Sequence, residues 1–294
     1  MTKRTQPHAT IAFLGMGRMG APMAARLIEA GFTVRVWNRS AQRVAPMVEL
    51  GAVATSSPAE AAMGADFLVT MLPDGPAVES VMSGPQGALT TLRSGAVWLQ
   101  MSSVGVDWAS RLGELVANNG VVYVDAPVSG SVGPAETGDL LVLASGPDDV
   151  QAQVAPVLDA MSRRTMWLGA SGAGSKAKLV LNNWLVGLVE SMAETLHFSE
   201  ALELDPQLIV ELLDEAPIGS PYAVAKARQM LAGEYSPSFA LKHALKDADL
   251  ALAAANAVGT DLMVTRSFIE AWRRAVSNGL GERDISVVYT NNPE

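Results

Sequence analysis

Apolar positions in the first half of the chain come in short unbroken runs, and between the runs they recur every three or four residues. "IAFLG" is such a run, and helical spacing follows it at Met19, Met23, Ala24, Leu27 and Ile28. An unbroken run of this length reads as a strand buried on both faces, and the wider spacing as a helix with one covered face. Gly31 closes that helix and "TVRVWN" reads as a second strand. The alternation continues: a helix in "AEAAMG", strands in "DFLVTMLPD", "GAVWLQMSSV", "GVVYVDAPVSG" and "DLLVLASG", a helix in "PDDVQAQVAPVLDAM", and a last strand in "TMWLGASGAG". Residues 1–172 therefore predict an α/β domain, doubly wound about a mostly parallel sheet.

The second half changes period. From Ser175 to about Leu204 the pattern is helical and apolar on nearly every face, at Leu179, Val180, Leu181, Leu185, Val186, Leu188, Val189, Met192 and Leu196. Such a helix spans about 45 Å and is expected to be covered all round, by other helices or by another subunit. "DPQLIVELLDEA", "PYAVAKARQMLAG", "FALKHALKDADLALAAANAVG" and "DLMVTRSFIEAWRRAVSNGLG" supply further helices. Residues 173–294 thus predict an all-α domain opened by a long interdomain helix, with "EAWRR" on a solvated face.

Composition narrows the function classes. With 49% hydrophobic and 17% charged residues over 294 positions, the chain can build two sizeable cores. A net charge of -9 argues against nucleic acid as a partner. With no cysteine, disulfides, thiolate catalysis and cysteine-based zinc sites are excluded. His8, His197 and His243 stand at no metal-like spacing, and the last two, on apolar helices, read as packed residues. No secretory leader and no membrane span is expected, so the sequence points to a cytoplasmic protein.

The chemistry begins at the first turn. Gly15, Gly17 and Gly20 form G-x-G-x-x-G between strand and helix, with Met16, Arg18 and Met19 between them. The first glycine allows the tight turn, the second lets backbone approach a pyrophosphate, and the third lets helix pack closely on strand. The second strand ends in Asn38, Arg39 and Ser40, with Arg43 beyond. No carboxylate is there to grip ribose hydroxyls, and a guanidinium can hold a 2′-phosphate, so NADP is expected over NAD. Met71, Leu72, Pro73, Ser103, Ser129 and Gly130 lie near strand ends, where ligands of such sheets bind.

The segment "GAGSKAKLVLNN" places Lys178 and Asn182 on one helix face, with Lys176 and Asn183 near another. Composition does not choose between the two faces. A lysine at the cleft between domains could lose its proton readily and serve as a general acid or base.

Together "FLGMGRMGAPMAARL", "VWNRS", "TMLPD", "DAPVSGSVGPAETG", "GAGSKAKLVLNN" and "FALKHALKDADLALA" resemble the β-hydroxyacid dehydrogenase family over nearly the whole chain. That resemblance implies a Rossmann domain, a helical second domain, and dimers or tetramers through it. It selects Lys178 as acid/base with Asn182 as companion. It implies that Ser129 and Gly130 bind a substrate carboxylate, that Asp247 and a wall at Phe239 complete the substrate site, and that Lys246 and Ser103 reach the cofactor. The expected reaction is NADP-dependent hydride transfer between a small β-hydroxy acid and its semialdehyde. The chain departs from the family pattern at Leu181, Ser131, Pro134, Gln100 and Leu262–Met263, changes that bear on the substrate. A reductase of imines or ketones, and a non-catalytic nucleotide-dependent interaction module, are the rival readings.

Overall fold

The computed structural model describes residues 9–291, so His8 and the residues before it lie outside the described residues. The chain divides into two compact units, Met1–Lys178 and Leu179–Glu294.

In the first unit six parallel strands form one sheet: β1 (Thr10–Leu14), β2 (Thr33–Trp37), β3 (Val53–Ala54), β4 (Phe67–Thr70), β5 (Val97–Gln100) and β6 (Val122–Asp125), in the order β3-β2-β1-β4-β5-β6. Between them run α1 (Gly20–Glu29), α2 (Ala45–Glu49), α3 (Pro58–Ala62), α4 (Gly75–Ser83) and α5 (Val106–Val116). Successive strand residues point to opposite faces, and each face is covered. Ile11 and Phe13 join the core beneath α1, whereas Ala12 and Leu14 join the core with α4 and α5. The strand order reverses beside β1, between β1 and β4, which makes the carboxyl ends of those strands the place for a ligand.

The expectation of one continuous sheet needs correction. "GVVYVDAPVSG" is not a single strand: β6 stops at Asp125, and β7 (Val128–Ser129) pairs instead with β8 (Leu140–Ala144). After α6 (Val132–Thr137) and β8 come α7 (Gln151–Met161) and β9 (Ser162–Trp167), and β7-β8-β9 form a second, three-stranded sheet with β7 antiparallel to β8. The break falls at Pro127, which has no N–H to give to a ladder. Pro134, read from sequence as a departure, lies in the first turn of α6, where its missing N–H costs nothing.

The second unit is helical: α8 (Ala173–Ala201), whose first six residues fold with the first unit, then α9 (Pro206–Glu215), α10 (Pro221–Ala232), α11 (Leu241–Ala257) and α12 (Met263–Ser277). Its core joins Val186, Val189 and Leu196 of α8 to Val210, Val224, Leu241, Ala248, Phe268 and Trp272. In the lone chain Val180, Leu181 and Trp184 of α8 are exposed, so the helices of this unit do not by themselves cover it. One expectation changes here. "EAWRR" is not wholly solvated, because Trp272 is completely buried and its indole N–H donates to a Glu190 carboxylate oxygen at 2.7 Å. No helix of the described residues is long and apolar enough to cross a membrane.

Candidate functional site

The glycine turn after β1 is built by close approach. The Gly15 N–H donates to the Trp37 carbonyl at 2.9 Å, and its φ of 111° lies where only glycine rests easily. A Cβ on Gly15 would stand 2.3 Å from the Met71 carbonyl oxygen, and one on Gly20 only 1.9 Å from the Gly15 carbonyl oxygen. At Gly17 an added Cβ would meet nothing within 4 Å. Two glycines are therefore required by the protein itself, and the third faces open space at the start of α1. That helix has no side-chain cap and no acidic residue in its first turn. The turn is thus open to an anion at its positive end, and the residues fit a dinucleotide pyrophosphate. Gly20→Val is expected to raise the dissociation constant for a nicotinamide dinucleotide at least about tenfold, read by nucleotide fluorescence, since the loop must move to admit the side chain.

Asn38 holds this turn in place. Its Oδ1 accepts the Met16 N–H at 3.0 Å, and its Nδ2 donates to the Ser40 carbonyl at 3.0 Å. Arg39, Ser40 and Arg43 beside it are exposed. Met19 is half-buried and Arg18 exposed.

A buried polar network lies beneath the turns after β4 and β5. The Ser102 hydroxyl accepts the Leu72 N–H at 2.9 Å and donates to the Thr70 carbonyl at 3.3 Å. The fully buried Gln100 accepts the Ser102 N–H at 2.8 Å and donates from Nε2 to the Ser102 carbonyl at 2.9 Å. A carboxylate at position 100 could accept but not donate, so the neutral amide there matches both backbone groups of Ser102. This network holds half-buried Leu72 by its N–H, half-buried Met71 donates its N–H to the Leu14 carbonyl at 3.0 Å, and half-buried Ser103 and exposed Pro73 adjoin them in the chain. Nothing in the spacing of the sequence marks Gln100 or Ser102 as a clamp.

Ser129 is half-buried on β7, and Gly130, at φ 133°, is exposed. At the start of α8, Ser175 and Gly174 are tied to Asp125 and Ser145. Lys178 is half-buried, and Lys176 is exposed.

The helical unit resolves the two asparagines. Asn182 is buried, and its Nδ2 donates to Asp247 Oδ2 at 2.6 Å. Asn183 instead accepts the Thr265 hydroxyl at 2.7 Å. The other Asp247 oxygen lies 3.0 Å from Lys246 Nζ. Asp247 Oδ2 is therefore committed to Asn182, while its buried Oδ1 faces the Lys246 ammonium as an ion pair and accepts no hydrogen bond. Phe239 is half-buried and held by its backbone: its N–H donates to Asp284 Oδ2 at 3.1 Å and its carbonyl accepts the Ile285 N–H at 2.8 Å. Asp284 is completely buried and pairs with the buried Lys226 at 2.6 Å. This clamp was not legible in the sequence, because Lys226 and Asp284 are 58 residues apart. His197 stacks on Tyr289, and burial, followed by Lys242 and Lys246, pushes the His243 imidazole down from its ordinary value. Among the described residues no cluster of His, Asp or Glu could hold a metal.

Residues 10–169 match the family described as the NAD binding domain of 6-phosphogluconate dehydrogenase, and residues 172–291 match the NAD-binding domain of NADP-dependent 3-hydroxyisobutyrate dehydrogenase. The chain is 37% identical to the chloroplastic glyoxylate/succinic semialdehyde reductase 2 of Arabidopsis thaliana, over 95% of this chain and 78% of that one. It is 34% identical to glyoxylate/succinic semialdehyde reductase 1 of the same plant, over 95% and 96%. Among solved structures, 3-hydroxyisobutyrate dehydrogenase of Mycobacterium tuberculosis, determined with L-serine, superposes with a TM-score of 0.88 at 27% identity, covering 98% of this chain and all of that one.

Proposed function

Because the chain belongs to the β-hydroxyacid dehydrogenase family, we propose that it is an NADP-dependent oxidoreductase of small β-hydroxy acids and their semialdehydes, of the kind its relatives' names describe. Asn182 carries this reading. It is a carboxamide buried one helical turn after Lys178, with its nitrogen committed to Asp247, so that its oxygen remains as the acceptor end. A lysine beside such an acceptor can be held in one rotamer while it gives or takes a proton.

Gly15 to Gly20 would hold the pyrophosphate, Arg39 and Ser40 the 2′-phosphate, and Met71, Leu72, Pro73 and Ser103 the nicotinamide end. When bound, the nicotinamide supplies or accepts the hydride. Ser129 and the Gly130 backbone would bind the substrate carboxylate, and Phe239 would wall the pocket. Lys178 would protonate the carbonyl oxygen in reduction and take the proton back in oxidation. Asp247 would act through its two partners, orienting Asn182 and drawing Lys246.

The test is a panel of glyoxylate, succinic semialdehyde, 3-hydroxyisobutyrate and cyclic imines, each with NADPH and NADH, followed at the nicotinamide absorbance. Turnover of imines alone would transfer the site to the imine reductase reading, and no turnover with any member would leave a nucleotide-dependent interaction module. For the cofactor, Arg39→Ala is expected to weaken NADPH about tenfold or more and leave NADH unchanged, since only NADPH offers a phosphate to the guanidinium. An equal loss for both nucleotides would sink the NADP preference.

We also propose a homodimer or homotetramer built through the helical unit. Val180, Trp184, Val258, Met263 and Val264 are exposed there, apolar side chains that a second copy would cover. Light scattering that finds a monomer would remove this proposal.

A further inference from the structure

We infer that Asp125 is a positioning residue for the proton-transferring lysine: its carboxylate seats the first turn of α8, and with it Lys178, on the ends of two strands. The inference rests on the reading of Lys178 as the acid/base.

The first unit brings its two sheets together at one point. Asp125 ends β6 and Ser145 follows β8, and their backbones exchange hydrogen bonds, Asp125 N–H to Ser145 carbonyl at 3.0 Å and the reverse at 2.8 Å. Both side chains are completely buried. A helix start presents N–H groups with no partner inside the helix, usually met by the side chain just before it. In α8 a strand end takes that role. The Ser145 hydroxyl accepts the Gly174 N–H at 2.9 Å, and Asp125 Oδ2 accepts the Ser175 N–H at 2.7 Å. The Ser175 hydroxyl donates to the other Asp125 oxygen at 2.8 Å. The remaining donors close locally, Ala173 N–H to the Ala170 carbonyl and Lys176 N–H to the Gly172 carbonyl. The carboxylate therefore grips one residue by backbone and side chain at once, a two-point contact that fixes rotation as well as distance.

The seat admits only glycine at its closest point. A Cβ on Gly174 would stand 2.2 Å from the Leu143 carbonyl oxygen and 2.9 Å from that of Asp125. Helix and strand ends are in backbone contact there, so the first turn cannot slide without breaking the grip. Burial pushes the Asp125 carboxyl up from its ordinary range, and the bonds from Ser175 and Ser145 draw it back toward the ionised form that accepts them. Lys178 follows Ser175 by three residues, under one turn, on unbroken helix. Rotation or translation of Ser175 is passed on directly to Lys178. An error of about 1 Å at a reacting group costs roughly a hundredfold in rate.

The experiment compares Asp125→Asn, Ser175→Ala and Ser175→Thr with the wild type, with Lys178→Ala run alongside. The expected Asp125→Asn protein is folded by circular dichroism, keeps its NADPH dissociation constant and substrate KM within about threefold, and loses about ten- to a hundredfold in kcat. Ser175→Ala is expected to lose kcat several-fold, and Ser175→Thr, which keeps the hydroxyl donor, to restore it. A folded Asp125→Asn with wild-type kcat overturns the inference. If that variant does not fold, a wild-type kcat in Ser175→Ala overturns it instead. Unchanged turnover in Lys178→Ala overturns the acid/base reading itself, and separates that failure from a failure of the positioning role.

Discussion

Lys178→Ala is expected to lower kcat by about 10²–10⁴-fold while leaving the NADPH dissociation constant within about twofold. Proton transfer from a positioned side chain contributes in this range, and the nucleotide contacts assigned above lie on the glycine turn and the strand ends rather than on α8. The exposed Lys176, two residues away and about 200° round the helix, is the internal control. Lys176→Ala is expected to keep wild-type kcat. If the two variants behave alike, the assignment of the acid/base to Lys178 is wrong. Stopped-flow measurement of one NADPH turnover, with nucleotide affinity taken separately, provides both numbers.

Lys226→Met is expected to destabilise the helical unit by about 3–5 kcal/mol, the usual cost of removing one partner from a buried ion pair. Lys226 and Asp284 are 3% and 0% exposed, so water cannot take the place of the missing charge. The ammonium also bonds Gln229 and Ser238 at 2.9 Å, and Asp284 also accepts the N–H groups of Ser238, Phe239 and Ser286. Burial pushes the Asp284 carboxyl up, but the hydrogen bond and charge of Lys226, with the Ser286 and Phe239 N–H groups, outweigh it and hold the group below its ordinary value. A carboxyl lowered in the folded state stabilises the fold above its unfolded value, near 3.9, and loses that contribution as pH falls through the folded value. The gap between wild type and Lys226→Met should therefore be constant near neutrality and narrow below about pH 4. Urea unfolding across pH checks both parts. A loss under about 1 kcal/mol at pH 7 would mean that the backbone donors alone support the Asp284 charge.

Much of the site was legible because its signals are local. The glycine turn needs small residues at fixed offsets, and Gly15 and Gly20 show why: backbone carbonyls stand where their side chains would be. Lys178 and Asn182 could be paired by helical spacing alone, yet spacing could not choose them over Lys176 and Asn183. The fold gives the two asparagines different partners, the Asp247 carboxylate for Asn182 and the Thr265 hydroxyl for Asn183. The break in the sheet could have been read from Pro127. The solvated reading of "EAWRR" failed because two arginines outweighed one tryptophan in the pattern, whereas in the fold Trp272 finds Glu190 for its N–H.

The order of chain elements, the glycine turn and the change from alternating strands to helices were determined by the sequence by itself. Each depends on neighbours within one turn or one strand, where backbone sterics and hydrophobic periodicity act directly. The tertiary structure alone decided which polar residues hold the site together. Asp125 and Ser175 are 50 residues apart, and Asn182 and Asp247 are 65 apart. A buried carboxylate or amide is useful only where distant backbone brings it donors or acceptors, and that coincidence exists only once the strand ends and helices have packed.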